Sequence, residues 1–215
     1  MHGIKYDERS VTKLHTMHVI HLFLNQNMHG IYISADVIML SRDNMLDTIP
    51  TLYEEFDVSF ELYIQKIFAW QSGKWQSVIR LTNTNNDQGN FGDRLAMVMV
   101  HGGLEKIWFI SPGNEFPTLG YTHKTAVATE AWIPIRIQQV LVDGGFKLIF
   151  WYDGVSVKEF ALDLPRVYND TKIYAGDSFR ISITGAIKDL KISTGKLSQT
   201  RTLFFSLTLP TTCFF

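Results

Sequence analysis

Between Phe56 and Gln65 the chain alternates without a break. Phe56, Val58, Phe60, Leu62 and Ile64 stand on one side, and Asp57, Ser59, Glu61, Tyr63 and Gln65 on the other. Successive strand side chains point to opposite faces, so this run specifies a strand with one buried face and one wet face. The pattern returns downstream. Ile133, Ile135 and Ile137 alternate with Pro134, Arg136 and Gln138, and Phe146, Leu148, Phe150 and Tyr152 alternate with Lys147, Ile149, Trp151 and Asp153. Further strand candidates are 31–40, 76–83, 95–101, 105–111, 155–161, 171–175 and 186–192, and no window between 30 and 193 sustains a helical stripe for ten residues.

Turn chemistry separates these runs. Asp143-Gly144-Gly145 and Asp153-Gly154 supply the positive φ that tight hairpins demand. His101-Gly102-Gly103 and Ser111-Pro112-Gly113 are expected to do the same for their neighbours. About ten short strands joined by hairpins form antiparallel sheets, and two such sheets bury their apolar faces against each other. The expected fold is therefore all-β, an antiparallel two-sheet β-sandwich, with a closed barrel as the less favoured closure. It would have an irregular or helical N-terminal leader (1–29), a sandwich over 30–193 and a loose C-terminal tail (194–215).

Composition narrows the function classes. Hydrophobic residues make up 46% of the 215, enough for a sizeable core. Twenty basic against 21 acidic residues leave a net charge of −1, which argues against a nucleic-acid partner held by bulk charge. Cys213 is the single cysteine, so neither an intrachain disulfide nor a cysteine zinc cage is available. The apolar run Val19–Leu24 is short and broken by His21; no signal peptide is visible and no membrane span is expected. His15, His18 and His21 recur at helical spacing but lack the acid of a zinc hydrolase motif. Phosphate-binding glycine loops and a nucleophile elbow are also missing from the sequence.

Longer stretches carry a family likeness. Met45–Leu62 (MLDTIPTLYEEFDVSFEL), Ser77–Thr82 (SVIRLT) and the Asn-rich loop ending Gly92-Asp93-Arg94 resemble the concanavalin A-like lectin/glucanase superfamily. More narrowly, they are similar to laminin-G-like jelly-roll modules. Trp132–Gln138, Phe146–Gly154, Val167–Tyr174 and Gly185–Ile192 follow in the same order, so the resemblance spans about residues 31–193. It implies a sandwich, an extracellular setting, and a glycan or extracellular protein as partner.

Three groups of residues are candidate sites. The loop Asn83–Arg94 gathers side-chain oxygens, the ligand type calcium takes, and the resemblance implies Ca²⁺ at a sheet rim. Asn85, Asp87 and Asp93 are the candidate ligands, while Asn and Gly are also what a long turn needs. Glu55, Asp57 and Glu61 put three carboxylates along one strand, and the resemblance implies a laminarinase-type glycoside hydrolase as one alternative. The E-x-D-x-x-x-E spacing departs from that enzyme pattern, and a solvated strand face is the simpler account. Trp70 and Trp75 flank a polar turn and, with Arg94, are candidate ligand contacts. Trp108, Trp132 and Trp151 lie within strands and read as core or sheet-face packing. The expected function is a non-catalytic recognition module that binds glycan or protein through rim loops, needs no cofactor and is assisted at most by calcium. The remaining alternative is a structural or assembly module of a larger extracellular protein.

Overall fold

The computed structural model describes residues 28–67 and 74–195. Most of the leader candidate and of the tail, Trp70, and His15, His18 and His21 lie outside the described residues, while Met28 and His29 of the leader candidate belong to a strand. Within them the chain is all strand and loop: β1 (Met28–Ser34), β2 (Ile38–Met39), β3 (Met45–Leu52), β4 (Phe56–Lys66), β5 (Trp75–Thr82), β6 (Ala96–His101), β7 (Ile107–Ser111), β8 (Leu119–Thr122), β9 (Trp132–Val142), β10 (Gly145–Tyr152), β11 (Val155–Leu162), β12 (Tyr168–Tyr174) and β13 (Thr184–Gly195).

Every strand pairing is antiparallel, and the strands form two sheets. One runs β1-β13-β4-β9-β10-β11, with β2 also on β13, and the other runs β3-β12-β5-β6-β7-β8. The alternation read from the sequence decides which faces meet. Phe56, Val58, Phe60, Leu62 and Ile64 are all at most 3% exposed, and Ile133, Ile135, Ile137, Leu148 and Phe150 lie beside them. Ile79, Leu81, Val98, Val100, Ile107 and Phe109 close the core from the second sheet. Phe109 stacks on Phe150 with ring centroids 5.4 Å apart. The expected two-layer sandwich is the observed fold.

Local departures have physical reasons. The candidate strand 31–40 divides into β1 and β2 around a bend near Asp36. Strand β3 was not among the candidates. It is an edge strand, and Pro50 breaks its sequence pattern at a place where an edge tolerates a missing donor. Strand β8 has four residues at the opposite edge, too few to show a period. Asp143, Gly144, Asp153 and Gly154 take positive φ in two-residue hairpins, as expected. Gly102, Gly103 and Gly113 do not. The β6–β7 turn instead places Glu105 at φ 52°, its amide bonded to the His101 carbonyl, and this corrects the expectation for His101-Gly102-Gly103 and Ser111-Pro112-Gly113.

Candidate functional site

The wet face of the seven-stranded sheet is built by the residues that alternate with the core. One row runs across four strands: Lys191 pairs with Ser59, Ser59 with Arg136, and Arg136 with Trp151. In the next row Lys188 pairs with Glu61 and Glu61 with Pro134. Ser59 is short, and its neighbours in the row are long. A small side chain between tall ones leaves a hollow in a pleated surface. The result is a depression of about 320 Å³, lined by Ser59, Glu61, Pro134, Arg136, Trp151 and Lys191, with Gly154 and Asp189 at its margin. Asp189 takes φ 51° in a bulge of β13, which re-aims that strand at the rim.

Fixed charges frame the depression. Arg136 Nε lies 3.0 and 2.9 Å from the two Asp57 oxygens, and a second guanidinium nitrogen also donates to Asp57. Gln138 supports the same carboxylate at 3.4 Å. Lys188 Nζ lies 2.9 Å from Glu61 and 4.5 Å from the Trp132 ring centre. The Arg136 guanidinium carbon is 5.8 Å from the Trp151 ring. Tyr63 and Trp132 pack at 5.3 Å beside this framework. The Trp151 indole Nε1–H is buried and has no hydrogen-bond partner among the described residues. Aromatic side chains and paired charges together provide for a ligand with both apolar and hydroxylated surface.

The residues singled out from the sequence take other places. Asp57 and Glu61 share the wet face of β4 four residues apart, roughly 13 Å along the strand, and each holds a cation. Glu55 precedes the strand, is 6% exposed and accepts from the Leu141 amide at 3.3 Å. Paired glycosidase carboxyls sit roughly 5–9.5 Å apart across one cleft. Asp57 is engaged by Arg136 and Glu61 by Lys188, so neither carboxylate stands free. Trp75 packs on Trp108 and His101, with centroids 4.9 Å away in both cases, over Met97 and Met99.

The Asn83–Arg94 loop is tied by its own ions. Arg94 donates to Asp87 at 2.7 Å, and Arg180, from the segment between β12 and β13, pairs with the same carboxylate. Asp93 has no exposed surface and accepts from Thr84 Oγ1 and from the Gln88 and Asn90 amides. Asn85 Oδ1 accepts from Lys172 Nζ at 2.6 Å. Burial raises the Asp93 carboxyl, but the bonds from Thr84, Asn90 and Gln88 prevail and hold it below the usual carboxylate range. Burial likewise opposes ionisation of Asp87, and Arg94 and Arg180 overcome it. Among the described residues no three His, Cys, Asp or Glu side chains converge as a metal-binding group.

Tyr63, Trp132, Trp151, Arg136 and Lys191 were not among the candidate site residues. A signal for three of them existed. Each of the aromatics falls on the polar side of its strand's alternation, out of phase with the core set. An aromatic at such a position is directed outward by the same rule that buries its neighbours.

No family model matches the chain, and no curated protein matches it in sequence. Solved structures do resemble it. A heptameric SAP-like pentraxin from Limulus polyphemus superposes with a TM-score of 0.50 at 11% identity, covering 74% of this chain and 76% of that one. The receptor binding domain of botulinum neurotoxin D superposes with a TM-score of 0.50 at 15% identity over 84% of this chain. The chain spans 43% of that toxin domain's length. Both neighbours are concanavalin A-like jelly-roll sandwiches, and at such identities the likeness speaks to architecture: this chain has the concanavalin A-like jelly-roll fold.

Proposed function

We propose that the protein is a non-catalytic recognition module that binds glycan on the wet face of its seven-stranded sheet. One observation carries the reading. The 320 Å³ depression joins the Trp151 side chain to hydrogen-bonding groups held in place by ion pairs. A sugar ring offers an apolar patch to the indole and hydroxyls to Ser59, Glu61 and Lys191. Arg136 and Lys188 are braced by Asp57 and Glu61, so little side-chain order is lost on binding. The toxin neighbour is by name a receptor binding domain, a recognition use of the same fold. The laminin-G-like subdivision and the extracellular setting implied by the sequence belong to this proposal.

Glycan-array binding followed by calorimetry tests it. Trp151→Ala should weaken binding at least about tenfold, the scale expected for truncating an aromatic anchor. Trp75→Ala should leave affinity within about twofold, because Trp75 packs on the other sheet. A folded protein that binds no glycan, or a Trp151→Ala variant with full affinity, overturns the reading. EDTA should not change affinity, since Asn85, Asp87 and Asp93 already hold internal partners. Loss of binding on chelation would return the Asn83–Arg94 loop to the centre of the problem.

A further inference from the structure

The wet face of the seven-stranded sheet extends beyond the depression. Tyr63 on β4 pairs with Trp132 at the start of β9, and Glu61 pairs with Pro134 in the next row. Arg136 follows on β9 and pairs with Trp151 on β10. Trp132, Pro134 and Arg136 share the face that alternates with the buried Ile133, Ile135 and Ile137. Pro134 is exposed, and Tyr63, Trp132 and Trp151 each keep part of their surface in solvent. Trp132, Pro134 and Trp151 thus mark an apolar track that runs along β9 and steps across to β10 at its end.

The length of the track decides what can use it. From Trp132 to Arg136 is roughly 13 Å of strand, and the step to β10 adds about 5 Å sideways. A pyranose ring with its linking oxygen spans about 5 Å, a few single bonds of roughly 1.5 Å each. A single ring on Trp151 does not reach Trp132, whereas about three rings in a straight chain touch both. The far end is already stiff. Glu61 holds Lys188 at 2.9 Å, Lys188 lies 4.5 Å from the Trp132 ring centre, and Tyr63 supports the same indole at 5.3 Å. A ligand contact there costs little side-chain order. Charges along the track balance, with Arg136, Lys188 and Lys191 set against Asp57, Glu61 and Asp189, which favours an uncharged chain. The track follows a single strand, so it suits a straight ligand. Equatorial β-1,4 links hold successive pyranose rings in a straight ribbon with apolar C–H patches on its faces. α-1,4 links coil the chain and turn the third ring away.

We infer that the glycan taken by this face is an uncharged, β-1,4-linked chain of at least about three sugar units, laid along β9 with one ring in the Trp151 depression and another against Trp132 and Pro134. The inference rests on the function proposed above and names its ligand class. The test is a calorimetric titration with β-1,4-linked glucose oligomers from glucose to cellohexaose. Affinity should rise at least about tenfold between cellobiose and cellotetraose, the gain expected from one aromatic anchor, and then level off. Trp132→Ala should lower cellotetraose affinity about tenfold and leave cellobiose within about twofold, with no change in the circular dichroism spectrum. A loss confined to the long ligand marks a contact, because lost support for Lys188 and Glu61 would weaken the short one too. Maltotetraose should bind no more tightly than cellobiose. Equal affinity at every length overturns the inference. So does full cellotetraose affinity in Trp132→Ala, an equal loss for both ligands in that variant, or maltotetraose binding as tightly as cellotetraose. If Trp132→Ala does not fold, the length series and the maltotetraose comparison on the unaltered protein carry the decision. Binding to other glycans with none to this series overturns the inference and leaves the recognition reading standing, and a folded protein that binds no glycan removes both.

Discussion

Asp93 has no exposed surface and spends both oxygens on Thr84, Gln88 and Asn90. It is what keeps a loop of this length in one shape. Removing it in Asp93→Ala leaves buried donors unpaired, and the expected loss is about 1.5–3 kcal/mol, read from urea unfolding. The pH dependence follows from the same bonds. The Asp87 and Asp93 carboxyls are both held below their ordinary range in the folded protein, so the unfolded chain takes up protons first on acidification. Their stabilisation is complete above about pH 4, where unfolded aspartates are ionised, and is lost as pH falls through the folded values. The urea midpoint should therefore drop below about pH 4, and Asp93→Asn should show a shallower drop. A midpoint level from pH 5 to 2 would contradict this. The sequence displayed the loop's oxygens but not their partners, because Arg80 and Arg180 lie outside the loop and reach it only after β5 and the β12–β13 segment are in place.

At the scale of strands, alternation was enough. The inward sets of β4 and β9 were legible because each has one wet and one dry face, whereas in β10 Ile149, on the side read as polar, is buried along with Leu148 and Phe150. β5 and β6 are buried almost throughout, and their apolar runs hold no phase to read. A bulge between Ser77 and Ile79 adds to this by burying Val78 and Ile79 in succession. Phe60 and Ile135 are paired on the core face at 3% and 2% exposure. Phe60→Ala should cost about 3–5 kcal/mol and Ile135→Ala about 2–5 kcal/mol in chemical denaturation, and a loss under about 1 kcal/mol would mean that the site collapses around the cavity. Turns separate in a similar way. Gly144, at φ 81°, has nothing near its missing Cβ, so Gly144→Ala should cost only the backbone penalty of about 1–2 kcal/mol. At Gly176, φ 99°, a Cβ would lie 2.1 Å from the Ser41 carbonyl oxygen, and Gly176→Ala should destabilise more. Thermal melts of the two variants in the reverse order would show that the Ser41 segment yields.

For the molecule as a whole, the order of strands sets the route to the folded state. The seven-stranded sheet is completed by β13, which pairs with β1 and β4, so its central ladder joins the last described strand to two of the earliest. Closing loops of this length precedes most of the core contacts, and refolding should take milliseconds to seconds in stopped-flow fluorescence. A phase complete within about 100 μs would point to a local core that forms without β13. The same ladder sets Met28 opposite Gly195 as Cα partners. Opposed residues of an antiparallel pair stand roughly 5 Å apart. The chain thus arrives at and departs from the sandwich at adjacent doors, so the module can be spliced into a surface turn of a host protein with little strain on the host. Met28 and Gly195 can also be bridged by a few glycines and new ends opened at Asp153-Gly154.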